Sequence, residues 1–211
     1  PITRQDPRYP QEVRRKLGKD SPGCLWAKGD LSLLENPKKI SAVGCRSLNP
    51  ENRAFAREIG AQAALQGYVL VSGNAVGADQ EAQESCLSGG GQVISVVPDA
   101  LHSYLERPNV LYLSEEDYDA SFSTLRALRR NRVIHAMGTA VAVAQCRPGK
   151  GGTWSGTNMN LQNHWSPVYM FRDGSEGAAA LQRQGAELIG KEALLDLSLL
   201  SRASEGFLQN L

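Results

Sequence analysis

The chain has 211 residues, of which 41% are hydrophobic and 21% are charged, and its formal net charge at pH 7 is only +1. This length and composition suit one globular domain with its own core. Because the net charge is so small, any affinity for a polyanion has to come from local clusters of basic residues. No apolar run approaches the roughly 20 residues of a membrane span, and the polar N-terminus does not resemble a signal peptide, so we expect no membrane interaction.

Three segments are predicted along the chain. Residues 1–37 are interrupted by prolines and carry the apolar residues Leu25 and Trp26, which predicts an N-terminal extension that packs on the main domain. Residues 38–190 form the predicted main domain. Residues 191–211 are predicted to be a C-terminal tail.

Short apolar runs alternate with stretches of helical periodicity in the main domain. Phe55, Ile59 and Ala63 recur at i, i+4 and i+8, which indicates one buried helix face. Alternating strands and helices predict parallel strands joined by crossover helices. The predicted fold is therefore α/β, a Rossmann-like three-layer sandwich with a mainly parallel central sheet and helices on both faces. The predicted strands are residues 40–43, 68–72, 92–97, 110–113, 140–146 and 168–171.

Glycine and basic residues follow several predicted strands. Arg46 stands two residues after Gly44, and Asn49 and Pro50 then mark a helix start with free N–H groups. Because parallel strands deliver their carboxyl ends to one edge of the sheet, we expect these loops to meet and bind an anion. The candidate phosphate-binding residues are Gly44, Cys45, Arg46, Ser72, Gly73, Asn74, Gly77, Asp79, Arg130, Asn131, Arg132, Lys150, Gly151, Gly152 and Thr153.

Two of these features have alternative interpretations. Asp79 is either part of the site or only a carboxylate that neutralises a helix N-terminus. The arginines between residues 126 and 132 are spaced at i, i+3 and i, i+4, where like charges destabilise a helix. Either a bound polyanion or the acidic run at residues 115–117 would compensate for them.

Neither a metal site nor covalent catalysis is predicted. Cys24, Cys45, Cys86 and Cys146 are widely separated, which predicts free thiols in a reducing cytoplasm, and Cys45 beside an arginine is a candidate for a lowered pKa. The three histidines lie in unrelated contexts, and no serine carries a nucleophile motif, so we expect each histidine to be exposed or hydrogen-bonded. The dinucleotide motif GxGxxG is absent.

Four motifs occur in a specific order. Residues 43–46 are V-G-C-R, residues 71–79 are V-S-G-N-A-V-G-A-D, Phe122 precedes R-N-R-V-I at 130–134, and residues 151–153 are G-G-T. Together they resemble the DprA/Smf family of DNA-processing proteins, which has V-G-S-R, V-S-G-L-A-x-G-I-D, F-x-x-R-N-R-x-I and S-G-S/T in these places.

The resemblance implies a cytoplasmic protein that binds single-stranded DNA in a basic pocket and passes it to a RecA-type recombinase, typically as a homodimer. It implies no cofactor and no catalysed reaction. Trp154 or Tyr104 would be available to stack on bases.

A second interpretation remains open at this point. Cys45 replaces the family's serine, Gln83 stands where the family usually has histidine, and we assign no winged-helix domain to the 211 residues. The alternative is a nucleotide-binding or nucleotide-sensing domain of the same superfamily. It would be similar to phosphoribohydrolases but without hydrolysis, since Asn160 stands where the catalytic glutamate would be expected.

Overall fold

A computed structural model describes residues 1–201, which contain one nine-stranded sheet. In spatial order the strands are β1, β2, β6, β5, β4, β3, β7, β8 and β9, with numbering along the chain. Their ranges are β1 Ile2–Thr3, β2 Cys24–Gly29, β3 Lys39–Val43, β4 Val69–Ser72, β5 Gln92–Val96, β6 Val110–Ser114, β7 Ala140–Val143, β8 Val168–Phe171 and β9 Glu187–Ile189.

The sheet is parallel except at one end. The pairs from β6 across to β9 are all parallel, whereas β1 and β2 add an antiparallel edge next to β6. Every residue of the central strands β3, β4 and β7 is buried. This burial on both faces explains why the strands are mainly apolar; the polar side chains of Lys39, Ser41 and Ser72 are buried within them as well.

Helices cover both faces of the sheet. On one face, Phe55, Ile59 and Ala63 of α2 and the small residues of α3 pack against Leu70. On the other face, residues of α1, α4 and α6 pack against Val71 and its neighbours. The three-layer α/β fold is thus confirmed. The helices are α1 Gln11–Leu17, α2 Pro50–Leu65, α3 Ala78–Ser88, α4 Thr124–Met137, α5 Gly151–Asn163 and α6 Glu176–Arg183.

The strand order reverses at β3. The chain proceeds from β3 to β4, β5 and β6 on one side, and it then returns through α4 to place β7 on the other side of β3. In an open parallel sheet, the crevice at the carboxyl ends of two such strands is the usual place for a ligand. A ligand site is therefore expected at the loops that follow β3 and β7.

The structure differs from the predicted strands in two respects. Strands β1, β2 and β9, at or next to the edges of the sheet, were not predicted, and β2 joins residues 1–37 to the main sheet through its antiparallel pairing with β6. Strand β7 ends at Val143 and not at Cys146, since residues 144–146 turn into the loop. Between β5 and β6 the connection contains only a short 3-10 turn, Leu101–Ser103.

The C-terminal segment is partly described. Lys191–Leu195 form a 3-10 turn, and Leu194, Leu197 and Leu200 are buried against the core on the α2 face. Residues 202–211, which belong to the predicted tail, lie outside the described residues, and the limits of the three predicted segments stay a prediction. None of the helices found in residues 1–201 is long and apolar enough to cross a membrane.

Candidate functional site

The loops at the strand reversal enclose a cavity of about 740 Å³. The backbone N–H of Ala78 donates to the carbonyl of Cys45 over 3.2 Å, and the N–H of Cys45 donates to the carbonyl of Gln145 over 3.1 Å. The hydroxyl of Thr153 donates to the carbonyl of Gly44 over 2.8 Å. These bonds connect the loops after β3, β4 and β7, so the predicted meeting of loops is confirmed.

Glycines permit this close approach. A Cβ atom at Gly44 would lie 2.5 Å from the Cβ of Ala78. A Cβ atom at Gly73 would lie 2.7 Å from both the Cζ of Arg130 and the Oδ2 of Asp79. Real Cβ contacts are not this short, so only glycine allows the loops, the arginine and the carboxylate to come together here.

Asp79 and Arg130 are buried on either side of Gly73. The Oδ2 of Asp79 accepts hydrogen bonds from the N–H groups of Gly73 at 3.1 Å and Ala75 at 3.3 Å. The Nη1 of Arg130 donates to the carbonyl of Gly73 at 2.5 Å and to that of Val96. Burial raises the pKa of Asp79 to about 6, and the nearby charge of Arg130 opposes that rise. Asp79 therefore orders the loop after β4 and does not simply neutralise a helix end.

The Asp79→Asn variant is expected to lose a pH dependence of stability. Because the pKa of Asp79 is raised from its ordinary value of 3.8 to about 6, the native state binds this proton more readily than the unfolded chain. Its contribution to the free energy of unfolding is present in full below about pH 4 and decreases by up to about 3 kcal/mol as the pH rises through 6. Urea unfolding of wild type and variant from pH 4 to pH 7 measures this difference in the free energy of unfolding. Identical pH profiles would contradict the assignment.

Three cations at the cavity have no hydrogen-bond or ion-pair partner among the described residues. The side chains of Arg46, Arg147 and Lys150 line the cavity and make no hydrogen bond or ion pair with any residue in 1–201. Arg130 adds a buried positive charge behind them, while Asp79 is the one carboxylate among the described lining residues. The cavity is therefore electropositive and suited to an anion with several negative charges.

The first turn of α5 also lines the cavity. Residues 151–155 face it, and the N-cap residue Lys150 makes no side-chain capping bond. The N–H groups of a helix's first turn have no partner within the helix and carry a partial positive charge. This helix start therefore offers backbone donors beside the three cations.

Apolar side chains line the cavity as well. Phe122, Leu128 and Trp154 are among the lining residues, and Trp154 also packs against the core. Tyr104, the other residue predicted to stack on bases, does not line the cavity. Its hydroxyl donates to Asp99 over 2.7 Å and its ring contacts that of Tyr112.

The structure divides the predicted site residues into two groups. Ser72 is fully buried and accepts a hydrogen bond from the side-chain amide of Gln83, so it supports the site from behind. Gly73, Asn74 and Gly77 shape the loop after β4, with Asn74 and Gly77 at positive φ. The predicted residues that line the cavity are Gly44, Cys45, Arg46, Asp79, Arg130, Asn131, Lys150, Gly151, Gly152 and Thr153.

Arg132 does not lie at the cavity, which corrects its predicted role as a phosphate ligand. Its Nη1 and Nη2 donate to the two carboxylate oxygens of Glu115 at 2.7 and 2.6 Å, and its Nε donates to the carbonyl of Asp20. Arg126 makes an ion pair with Glu116 at 3.0 Å. The acidic run, the second of the two predicted explanations, therefore compensates these arginines.

Arg147 lines the cavity but was not among the predicted site residues. It lies four residues after the end of β7, in the loop at the strand reversal, and that position was the available signal. Ser47, Phe122 and Leu128 also line the cavity without having been predicted as site residues. The sequence around an exposed apolar residue does not indicate what that residue will contact.

Burial shifts the pKa of a thiol and of an imidazole that line the cavity toward their neutral forms. Burial raises the pKa of Cys45 although Arg147 opposes it, so the predicted lowering is wrong. Burial lowers the pKa of His135 to about 3, and neither ring nitrogen has a hydrogen-bond partner among the described residues, contrary to prediction. His102, as expected, is exposed and lies 3.1 Å from Asp119.

Asn160, compared above with a catalytic glutamate, is turned away from the cavity. It is fully buried, and its Oδ1 accepts a hydrogen bond from the N–H of Ser166 over 2.9 Å. The side chain therefore secures the end of α5 and does not face a ligand.

Comparisons with known proteins give a consistent result. A family model described as DNA recombination-mediator protein A matches residues 1–197. The DNA processing protein DprA of Bacillus subtilis is 25% identical over 183 residues, which is 81% of this chain and 62% of that protein. The chain thus spans less than two thirds of the length of this relative.

Two solved structures share the fold over most of the chain. DNA processing protein A from Streptococcus pneumoniae superposes with a TM-score of 0.80 at 25% identity, covering 92% of this chain and 72% of that one. DNA processing protein A from Helicobacter pylori, described for its single-stranded DNA binding mode, gives a TM-score of 0.78 at 25% identity and covers 90% and 92%.

Proposed function

The chain belongs to the family of DNA recombination-mediator protein A, and from this we propose that its cavity binds single-stranded DNA for DNA processing and recombination. The family description is that of a mediator, which agrees with the prediction of a binding protein and not an enzyme. The observation that carries the proposal is a set of three cations around a cavity at the strand reversal, Arg46, Arg147 and Lys150, which have no hydrogen-bond or ion-pair partner within residues 1–201.

Phosphates are expected on the cationic side of the cavity. Arg46, Arg147 and Lys150 supply charge, and the first turn of α5 supplies N–H donors. Contacts of this kind position a strand without reading its sequence. The aromatic side chains of Phe122 and Trp154 can stack only on bases whose faces are exposed, and a duplex hides those faces. Single strands are therefore expected to bind more tightly than duplexes.

A salt series tests the proposal. Each phosphate neutralised on a single strand contributes about −0.7 to the slope of log K against log salt, so three or four cationic contacts predict a slope of roughly −2 to −3. Fluorescence anisotropy with labelled oligo-dT at about 50 to 300 mM salt measures this slope. A duplex of equal length is the control.

The same titration separates DNA binding from nucleotide binding. If AMP displaced the labelled oligonucleotide as effectively as unlabelled oligo-dT did, the alternative of a nucleotide-binding domain would be preferred. Absence of salt-dependent binding at micromolar protein would contradict the DNA proposal directly.

The assembly and partners are further proposals. We expect a cytoplasmic homodimer that needs no cofactor and delivers its DNA to a RecA-type recombinase. The four cysteines are free, which suits a reducing compartment. Sedimentation analysis of the purified chain tests the dimer, and co-sedimentation with a RecA-type recombinase in the presence and absence of oligo-dT tests the partner.

A further inference from the structure

Two cysteines come together where the loops after β3 and β7 meet, and we call them the cysteine pair. Cys45 lies in the loop after β3 and lines the cavity, whereas Cys146 lies in the loop after β7 and is only 3% exposed. The N–H of Cys45 donates to the carbonyl of Gln145, the residue immediately before Cys146, over 3.1 Å. The two cysteines are therefore neighbours in space although they are far apart in the sequence.

The distance between the two backbones suits a disulfide. The hydrogen bond of Cys45 continues the parallel pairing of β3 with β7 beyond its last residue pair. Hydrogen-bonded neighbouring strands lie about 4.8 Å apart, and a disulfide joins Cα atoms that are about 4.4 to 6.8 Å apart. The two side chains also face the same point, because the backbone N–H of Arg147 lies beside both sulfurs and opposes the rise in the pKa of each thiol.

The two thiols differ in their access to the cavity. Cys45 is half-buried and faces the cavity, so a small oxidant that enters the cavity reaches its sulfur, whereas Cys146 is buried. Burial raises the pKa of both thiols, that of Cys146 to about 12, and the positive charge of Arg147 opposes the rise at Cys45. Because the thiolate is the reactive form, Cys45 is the thiol that reacts with an oxidant, and Cys146 is placed to react with the oxidised Cys45.

We propose that the cysteine pair is an oxidation site, which hydrogen peroxide converts to a disulfide across the strand reversal. The Cys45 thiolate attacks one peroxide oxygen, the O–O bond breaks, and a sulfenic acid forms while the released hydroxide takes up the thiol proton as water. The Cys146 sulfur then attacks the Cys45 sulfur, the S–O bond breaks, and the S–S bond forms as a second water leaves. The two thiols lose two electrons, and one peroxide becomes two water molecules.

The cysteine pair is adjacent to two of the three cations at the cavity. Cys45 directly precedes Arg46, and Cys146 directly precedes Arg147. A single strand held by these arginines covers the side of Cys45 that faces the cavity and keeps peroxide away from its sulfur. This shielding rests on the proposed function, whereas the formation of the disulfide does not.

Thiol counting and peptide mapping test the inference. After treatment with hydrogen peroxide at about pH 8, which raises the thiolate fraction, the denatured monomer is expected to retain two of its four thiols and to regain all four with dithiothreitol. Trypsin is expected to release residues 40–46 and 133–150 as one cross-linked species, since the bond before Pro148 resists cleavage. Four retained thiols, or oxidised cysteines without this species, would overturn the inference.

Three variants assign the roles of the thiols. Cys146→Ser is expected to accumulate the sulfenic acid of Cys45, which dimedone traps, because the second thiol is missing. Cys45→Ser is expected to retain its other thiols, since Cys146 is buried. Cys24→Ser/Cys86→Ser is the matched control and is expected to form the disulfide at the wild-type rate. Loss of the disulfide in this control, or oxidation of Cys45→Ser at the wild-type rate, would contradict the assignment.

Oligo-dT tests the shielding and separates the two proposals. At about ten times its Kd, oligo-dT is expected to slow disulfide formation about 10-fold, since only the unoccupied protein reacts. An unchanged rate at a concentration at which anisotropy shows bound oligo-dT would contradict the shielding. If wild type failed to bind oligo-dT, the proposed function would fail, while the cross-linked peptide would still establish the oxidation site.

Discussion

Removing three cations together, in the variant Arg46→Ala/Arg147→Ala/Lys150→Ala, is expected to abolish most of the salt dependence of single-strand binding. Three lost phosphate contacts reduce the slope by about 2, which at 0.1 M salt corresponds to a roughly 100-fold weaker affinity. The physical reason is that these side chains are uncommitted: none has a hydrogen-bond or ion-pair partner among residues 1–201. Fluorescence anisotropy over the salt series measures both quantities, and Arg46→Ala alone is expected to reduce the slope by about 0.7.

A charge-matched variant separates local from global electrostatics. Arg15→Ala/Lys38→Ala/Arg183→Ala removes the same net charge from exposed positions near the starts of the strands, at the far edge of the sheet. It is expected to keep the wild-type slope. If both triple variants lost affinity equally, binding would depend on overall charge, and the cavity would not be the site.

The central sheet was predictable from sequence because its strands are buried on both faces. Strands β3, β4 and β8 are short and mainly apolar, with glycine or proline close to their ends, and such runs indicate a buried strand locally. Strand β2 was missed because it lies toward the edge of the sheet and is only partly buried. Its partner β6 follows about 80 residues later, so nothing local in the sequence indicates the pairing.

The site was predictable in its location but only partly in its members. Strand ends and glycines determined where the loops meet, because the carboxyl ends of parallel strands share one edge. Which arginine faces the cavity depends on tertiary partners that no local pattern shows. Arg132 is two residues from Arg130 in the same motif, yet the carboxylate of Glu115 binds it elsewhere. Arg147 faces the cavity because no carboxylate pairs with it among the described residues.

The variant Arg132→Met is expected to lose about 3–5 kcal/mol of unfolding free energy, the usual cost of breaking a buried ion pair from one side. The side chains of Arg132 and Glu115 are only 9% and 5% exposed, so the carboxylate left behind stays out of water. Its other cationic neighbour, Arg129, is 3.7 Å away and largely exposed, and it cannot replace a two-bond contact. Urea unfolding at pH 7 measures the loss.

Two further variants establish that the loss comes from the pair itself. Arg129→Ala, which removes the exposed neighbour of the same carboxylate, is expected to cost less than about 1 kcal/mol. The double variant Glu115→Leu/Arg132→Met is expected to regain most of the loss, since no buried charge remains without a partner. The folded fraction of Arg132→Met is expected to bind oligo-dT with the wild-type salt slope. A slope reduced by about 0.7 with unchanged stability would instead return Arg132 to the phosphate-binding role that its motif first indicated.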